Sequence, residues 1–322
     1  MLNDRFGRSL ETLRVSVTDR CDLRCAYCMP AQGAQFAPRP GLLSQAELCR
    51  AMDAFLGLGL RRIKFTGGEP LLRTELESLI AHVAGRAELG LTTNGTLLTG
   101  RADGLFKAGL RRLTVSLDTL HPGHYAAVTR GGDLRRVLDG LRAAQAAGFK
   151  PIKVNAVLFE QPLEELLQLA ALSISSDWEI RFIEYMPVSF ALETPQKLTS
   201  PAQLRQALAQ AFGPLEPLGR EQAAAPASLA RIKGARGKIG FISSVSEPFC
   251  GACDRLRLQA DGFVRLCMAR PDGLQLRDLM RSGASDIDLQ LELRRAAWEK
   301  PSGHAFYSAP AAPSAQMSSI GG

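Results

Sequence analysis

No stretch of the 322-residue sequence is long and apolar enough to span a bilayer, and its first residues, MLNDRFGRSLETLRVSVTD, lack the apolar core of a signal peptide. These absences argue against a membrane-spanning helix and point to the cytoplasm. Lys and Arg total 39 against 32 Asp and Glu, a formal net charge of +7, yet the basic residues are scattered and form no block. Without such a block, neither a nucleic-acid patch nor a membrane surface is expected; a local pocket for a phosphorylated ligand remains. A mildly basic soluble surface explains the charge alone equally well. Internal repeats are also absent beyond an alternation of strands and helices. What is there is ordinary for a soluble protein: 46% hydrophobic and 22% charged residues, enough for a sizeable core.

From about residue 13, short apolar strands alternate with helical segments. The strand candidates are LRVSVT (13–18), RRIKFT (61–66), LGLTTN (89–94), RRLTVSLD (111–118), KPIKVNAVLF (150–159) and EIRFIEYM (179–186). Between them lie helical patterns such as SQAELCRAMDAFLGLG and LRRVLDGLRAAQAAG, both ending at Gly. Successive β-then-α units imply an α/β fold with a parallel sheet and right-handed crossovers. A closed eight-unit barrel needs two more units than are visible, so the expected architecture is an incomplete (β/α)6 TIM-type barrel with a C-terminal extension. The boundary is placed at residue 213: residues 1–213 form the partial barrel and 214–322 the C-terminal region. There GPLEPLGREQAAAPASLARIKGARG reads as a loop or linker, KIGFISSV as a strand, residues 274–299 as two short helices, and the last residues as an extended tail.

Seven cysteines in a chain expected in a reducing compartment suggest metal binding or catalysis rather than disulfides. Cys49, inside an amphipathic helical pattern, reads as a packed thiol. Cys21, Cys25 and Cys28 form C-x₃-C-x₂-C directly after the first strand, where parallel α/β barrels place their chemistry. Three close thiolates can grip a cubane iron–sulfur cluster and leave one iron open. Zinc competes less well, since it favours paired C-x₂-C elements and a fourth ligand, and no His follows nearby. Cys250, Cys253 and Cys267 form C-x₂-C-x₁₃-C. Taken alone, this second group suits a cluster or a zinc element equally.

The C-x₃-C-x₂-C loop resembles the hallmark of the radical S-adenosylmethionine (SAM) superfamily, and TGGEP (66–70) after the next strand resembles its second hallmark. The resemblance implies a 4Fe-4S cluster on Cys21, Cys25 and Cys28, with SAM bound by Tyr27, Gly68, Ser116 and Met186. From about residue 8 to the last Gly the chain resembles the GTP 3′,8-cyclase family, through LRVSVTDRCDLRCAYCMP, KFTGGEPLLR, LGLTTNGTLL, GLRRLTVSLD, IKVNAV, IRFIEYMPV, FCGACDRLRLQADG and SSIGG. That resemblance implies a lyase of molybdenum-cofactor biosynthesis, with a second 4Fe-4S cluster on Cys250, Cys253 and Cys267. It implies GTP bound by Arg14, Lys64, Thr92, Lys153, Arg255 and Arg257, with Arg14, Arg255, Arg257, Gly321 and Gly322 in catalytic roles. Arginine suits a triphosphate because its planar fork bonds two oxygens, and Arg-x-Arg on an extended segment presents both cations on one face. Lys64 stands where the family commonly has arginine; it keeps the charge but loses the fork. The Gly-Gly end could alternatively be a conjugation tail, but no ubiquitin-like domain precedes it; in the family such a tail enters the active site. The implied partners are an external electron donor and the next enzyme of the pathway, cyclic pyranopterin monophosphate synthase. A monomer or homodimer is expected, with no nucleic acid and no membrane.

Overall fold

All six strand candidates form and lie side by side in chain order: β1 (Thr12–Ser16), β2 (Arg62–Thr66), β3 (Glu88–Thr93), β4 (Arg112–Ser116), β5 (Ile152–Val157) and β6 (Glu179–Ile183). Every neighbouring pair is parallel. The computed structural model describes residues 1–34, 36–187, 198–304, 306 and 317–321. The crossovers carry α1 (Gln45–Gly57), α2 (Leu76–Val83), α3 (Ala102–Lys107), α4 (Pro122–Thr129), α5 (Leu134–Ala146) and α6 (Leu163–Ser175). Local chemistry sets their starts. Ser44 Oγ accepts from Glu47 N at 3.2 Å while Glu47 Oε2 accepts from Ser44 N at 2.8 Å, a reciprocal cap for α1. Asp133 caps α5 through Arg135 N at 2.9 Å.

The C-terminal third departs from the sequence reading. After α7 (Pro201–Phe212), the stretch expected to be a linker forms an antiparallel hairpin of β7 (Glu216–Gly219) and β8 (Ser228–Arg231), and β9 (Lys238–Ile242) pairs parallel with β6. Beyond the second cysteine group, β10 (Arg255–Leu258) pairs parallel with β1, followed by β11 (Phe263–Arg265) and β12 (Gly273–Gln275). The parallel row therefore has eight strands, β10-β1-β2-β3-β4-β5-β6-β9, with antiparallel strands outside both ends. Counting β–α units misses the two added strands because the β7–β8 hairpin intervenes between α7 and β9, and no α-helix lies between β9 and β10. Among the described residues β9 and β10 do not pair with each other, so the barrel is open as expected. The two short helices are α8 (Leu276–Arg281) and α9 (Asp286–Trp298). The tail expected to be extended includes a helical turn, α10 (Met317–Ile320); Ala305, residues 307–316 and Gly322 lie outside the described residues. No helix among the described residues is long and apolar enough to cross a membrane.

The core lies between the outer face of the sheet and the helices. Leu13, Val15, Ile63, Phe65, Leu113, Val115, Val154, Ile180, Phe182, Ile239 and Phe241 are buried there, against Leu48, Met52 and Phe55 of α1, Leu141 of α5 and Leu166 of α6 among others. Cys49 packs half-buried at the edge of this core. The alternate residues of the same strands point to the barrel axis, because strand side chains alternate in direction. There the pattern inverts: the inner faces carry Arg, Lys, Thr, Ser and Asn.

Candidate active site

A cavity of about 350 Å³ occupies the barrel interior. Its wall collects the residues singled out in the sequence: Cys21, Cys25, Tyr27, Cys28, Gly68, Ser116 and Met186, with Arg14, Lys64, Thr92, Lys153, Arg255 and Arg257. Cys250, Cys253 and Cys267 are not in that wall, but their neighbours Phe249, Asp254 and Met268 are.

The first cysteine loop is held by buried polar contacts. Gly68 N donates to Thr18 O at 2.8 Å and Glu69 N to Arg20 O at 2.7 Å, so the Gly-Gly-Glu-Pro turn lies directly on the loop. A Cβ at Gly68 would run into the Arg20 carbonyl oxygen, which is why this turn needs glycine there. Glu69 is fully buried and accepts from Leu71 N at 2.9 Å, Thr93 Oγ1 at 2.7 Å and Asn94 N at 2.7 Å, tying the turn to the end of β3. Asn94 and Thr96 in turn donate to Asp22 within the loop, at 2.7 and 2.6 Å. On the other side, Tyr27 Oη donates to Asp118 Oδ2 at 2.7 Å, and Asp118 accepts from Val157 N at 2.9 Å. Burial pushes the Cys21 and Cys28 thiols up to about 12 and Cys25 well above its usual value. Thiols so placed are poor nucleophiles by themselves, and they need a cationic group to make ionisation favourable.

The second group is assembled by two buried cations that sequence reading missed. Lys300 Nζ donates to Arg255 O at 2.9 Å and Leu266 O at 2.6 Å, joining the chain beside Cys253 to the chain beside Cys267. Arg8 pairs with Asp4 at 2.5 Å and donates to Cys250 O at 2.8 Å, Ser302 O at 3.1 Å and Pro301 O at 2.6 Å. Burial raises the Cys253 thiol, but Arg255 and Lys300 outweigh it and hold the value below the ordinary one. No three described His, Cys, Asp or Glu side chains converge as ligands of a single metal ion; cluster thiolates bind separate iron atoms and need not.

Between the groups lies a row of cations. Arg257 on β10, Arg14 on β1 and Lys64 on β2 are register partners on adjacent parallel strands, with Gly90 and Arg112 continuing the row. The next inward row runs Thr92, Thr114, Lys153 and Glu179, and the one above it Ser116, Asn155 and Arg181. Some cations are paired: Arg62 with Glu11 at 2.9 Å and Asp254 at 2.8 Å, Arg112 with Glu88 at 2.9 Å, and Arg181 with Glu179. Among the described residues no salt bridge joins Lys64 or Arg257 to a carboxylate. Burial, then Arg14, Arg181, Arg255 and Lys153, push Lys64 down to about 7. Burial, with Arg14 and Arg255 adding to it, lowers Arg257 as well. Arg255 Nε and Nη2 and Asn155 Oδ1 are buried without a hydrogen-bond partner, so the cavity wall holds polar groups that a ligand could satisfy. Arg257 also donates to the carbonyl of Gly321, whose φ is +77° and where a Cβ would lie 2.5 Å from Ser16 Oγ and 2.6 Å from Thr66 Cγ2. Gly322, assigned with it in the sequence reading, lies outside the described residues.

Residues 15–172 match the family described as the Radical SAM superfamily, and residues 178–306 match Molybdenum Cofactor Synthesis C. A GTP 3′,8-cyclase from Mycolicibacterium smegmatis is 43% identical over 335 residues, covering 100% of this chain and 92% of the relative. One from Mycobacterium ulcerans is 44% identical and one from Rhodopirellula baltica 43%, each over 331 residues with the same coverage. This chain belongs to the GTP 3′,8-cyclase family. The radical SAM fold is shared more widely than the cyclase family: Streptococcus suis SuiB superposes with a TM-score of 0.63 at 14% identity, over 91% of this chain and 66% of that one. Against the cyclase family's needs, the donor sets fit. Two groups of three cysteine thiols suit iron–sulfur clusters, and the orphaned polar atoms and excess cations suit an anionic nucleotide.

Proposed function

We propose that this chain is a radical SAM lyase that converts GTP to (8S)-3′,8-cyclo-7,8-dihydroguanosine 5′-triphosphate, the first step of molybdenum-cofactor biosynthesis. The observation that carries the reading is the joining of a three-cysteine loop and an under-neutralised cation row in one cavity. Cys21, Cys25 and Cys28 would hold a cluster beside SAM, and together these would supply radical abstraction of the ribose C3′ hydrogen; bonding of C3′ to guanine C8 would then be completed by one electron from the external donor and one proton.

The residues' own tasks follow from where they sit. Tyr27, Gly68, Ser116 and Met186 shape the SAM end: Tyr27 is locked by Asp118, and Gly68 fixes the cysteine loop. Arg14, Lys64, Arg255 and Arg257 hold the triphosphate, with Thr92 and Lys153 on the facing strands. Holding both reactants in one rigid cavity removes the entropy cost of bringing them together and excludes quenching water. Gly321 orients Arg257 through its carbonyl, and a catalytic role is assigned to Gly322 with it. Cys250, Cys253 and Cys267 hold a second cluster that receives the guanine base. The division at residue 213 then places radical generation in the first part, while substrate capture draws on both: Arg14, Lys64, Thr92 and Lys153 precede it, Arg255 and Arg257 follow it, and strands from both parts share one sheet. An external donor supplies electrons, and the product passes to the next enzyme of the pathway.

The test is anaerobic reconstitution. The protein should be brown, bind about eight irons per chain, and convert GTP in the presence of SAM and a reductant. A brown protein that cleaves SAM and leaves GTP untouched would overturn the assignment.

A further inference from the structure

The loop between β7 and β8 lies within the stretch read from sequence as a linker, yet it enters the cavity wall. Arg220 clasps its neck, donating to Ala225 O at 2.8 Å and Pro226 O at 2.7 Å. From this clasped loop Gln222 Oε1 accepts from Arg62 at 3.1 Å, and Glu221 Oε2 lies 3.5 Å from Lys153 Nζ. Burial works against ionisation of Glu221, but Lys153, Arg181, Lys238 and Arg112 hold its carboxyl below the usual range. A carboxylate on a loop thus occupies cations that line a cavity suited to phosphate. Glu221 is half exposed, whereas Glu179, the other carboxylate beside Lys153 at 3.8 Å, is buried within β6. Only the loop carboxylate can leave without disturbing the sheet.

We propose that Glu221 is a built-in competitor for the polyphosphate of the substrate and sets how strongly the cavity discriminates phosphorylated from unphosphorylated nucleosides. This rests on the reading of the cavity as a nucleoside triphosphate site. Entry of the polyphosphate displaces Glu221 from Lys153, and the loop swings on the Arg220 clasp. A neutral nucleoside brings nothing to exchange for the ion pair and leaves it in place.

The test is isothermal titration of the reconstituted full chain, wild type and Glu221→Gln, with GTP, inorganic tripolyphosphate and guanosine. Glu221→Gln keeps the shape and removes the charge. It should tighten GTP and tripolyphosphate about threefold, the range expected for a partly exposed ion pair, leave guanosine unchanged, and lose the difference at high salt. Unchanged or weaker binding of both phosphate ligands, or equal tightening of guanosine, would overturn the proposal. Wild-type protein that binds tripolyphosphate but not GTP would instead sink the nucleotide reading, and the tripolyphosphate ratio would still decide the role of Glu221.

Discussion

Lys64 offers the most exacting check on the cation row. Its ammonium falls from 10.5 to about 7, first because it is buried and then because Arg14, Arg181, Arg255 and Lys153 surround it. At about 1.4 kcal/mol per pH unit, the charged form is disfavoured by on the order of 5 kcal/mol. The sign follows directly. A lysine whose value is depressed in the fold burdens stability while charged, fully below about pH 7, and the burden fades as pH rises through 7 toward 10.5. An anion bound beside it restores the charge, so binding above pH 7 must take up a proton. If restoration is complete, affinity for GTP should drop about twentyfold between pH 7.5 and 9. Lys64→Arg cannot lose its proton in this range and should abolish the slope, binding GTP more tightly than wild type at pH 9. Titration calorimetry in buffers of different ionisation enthalpy reads the proton uptake directly. Wild type and Lys64→Arg with the same slope, and no proton uptake, would refute the argument.

Glu69→Ala removes the acceptor of three buried donors, from Leu71, Thr93 and Asn94, and should cost at least about 3 kcal/mol in chemical denaturation; a loss under about 1 kcal/mol would contradict the role given to that carboxylate. Gly68→Ala drives a methyl into the Arg20 carbonyl, so circular dichroism should stay near native while iron falls from about eight to about four per chain. Cys250→Ser should abolish formation of the cyclised nucleotide yet leave SAM cleavage to 5′-deoxyadenosine measurable; loss of all cleavage with the first cluster spectroscopically intact would contradict the division of labour.

Much of this arrangement is legible in the sequence, and the gaps have physical causes. The six strands of the β–α units announce themselves as short apolar runs between helical patterns, and the cysteine spacings stand out without any structure. Arg62, Arg112, Asn155 and Arg181 were also within reach: R-I-K-F-T, R-L-T-V-S, I-K-V-N-A-V and E-I-R-F alternate with period two, which marks one polar and one apolar face. Reading the strands as runs rather than as alternations hides that second face. Glu221, Arg8 and Lys300 carry no such signal. Their partners lie 68, 242 and 45 residues away or thereabouts in sequence, and only the pairing of β10 with β1 and the hairpin before β9 bring them together. The hairpin itself was obscured by Gly, Pro and Ala, whose turn preference outweighs the weak strand pattern of SLAR.

The register of β1 with β10 accounts for the rest of the design. The first cysteine group follows the carboxyl end of β1, whereas Cys250 and Cys253 precede the amino end of β10 and Cys267 follows the end of antiparallel β11 beside it, yet β1 and β10 are parallel neighbours. The two groups therefore sit at opposite ends of the same pair of strands, separated by about five residues of rise, or roughly 17 Å. Arg14 and Arg257 face each other midway along that span. A closed barrel fills its interior with apolar layers; leaving β9 and β10 unpaired with each other and lining the inside with cations gives up that packing. The core is moved outward, between sheet and helices, where Phe65, Phe182 and Phe241 are wholly buried. What remains inside is a charged slot whose repulsions a polyanion relieves, with the first three-cysteine group in its wall at one end and the second just beyond the other.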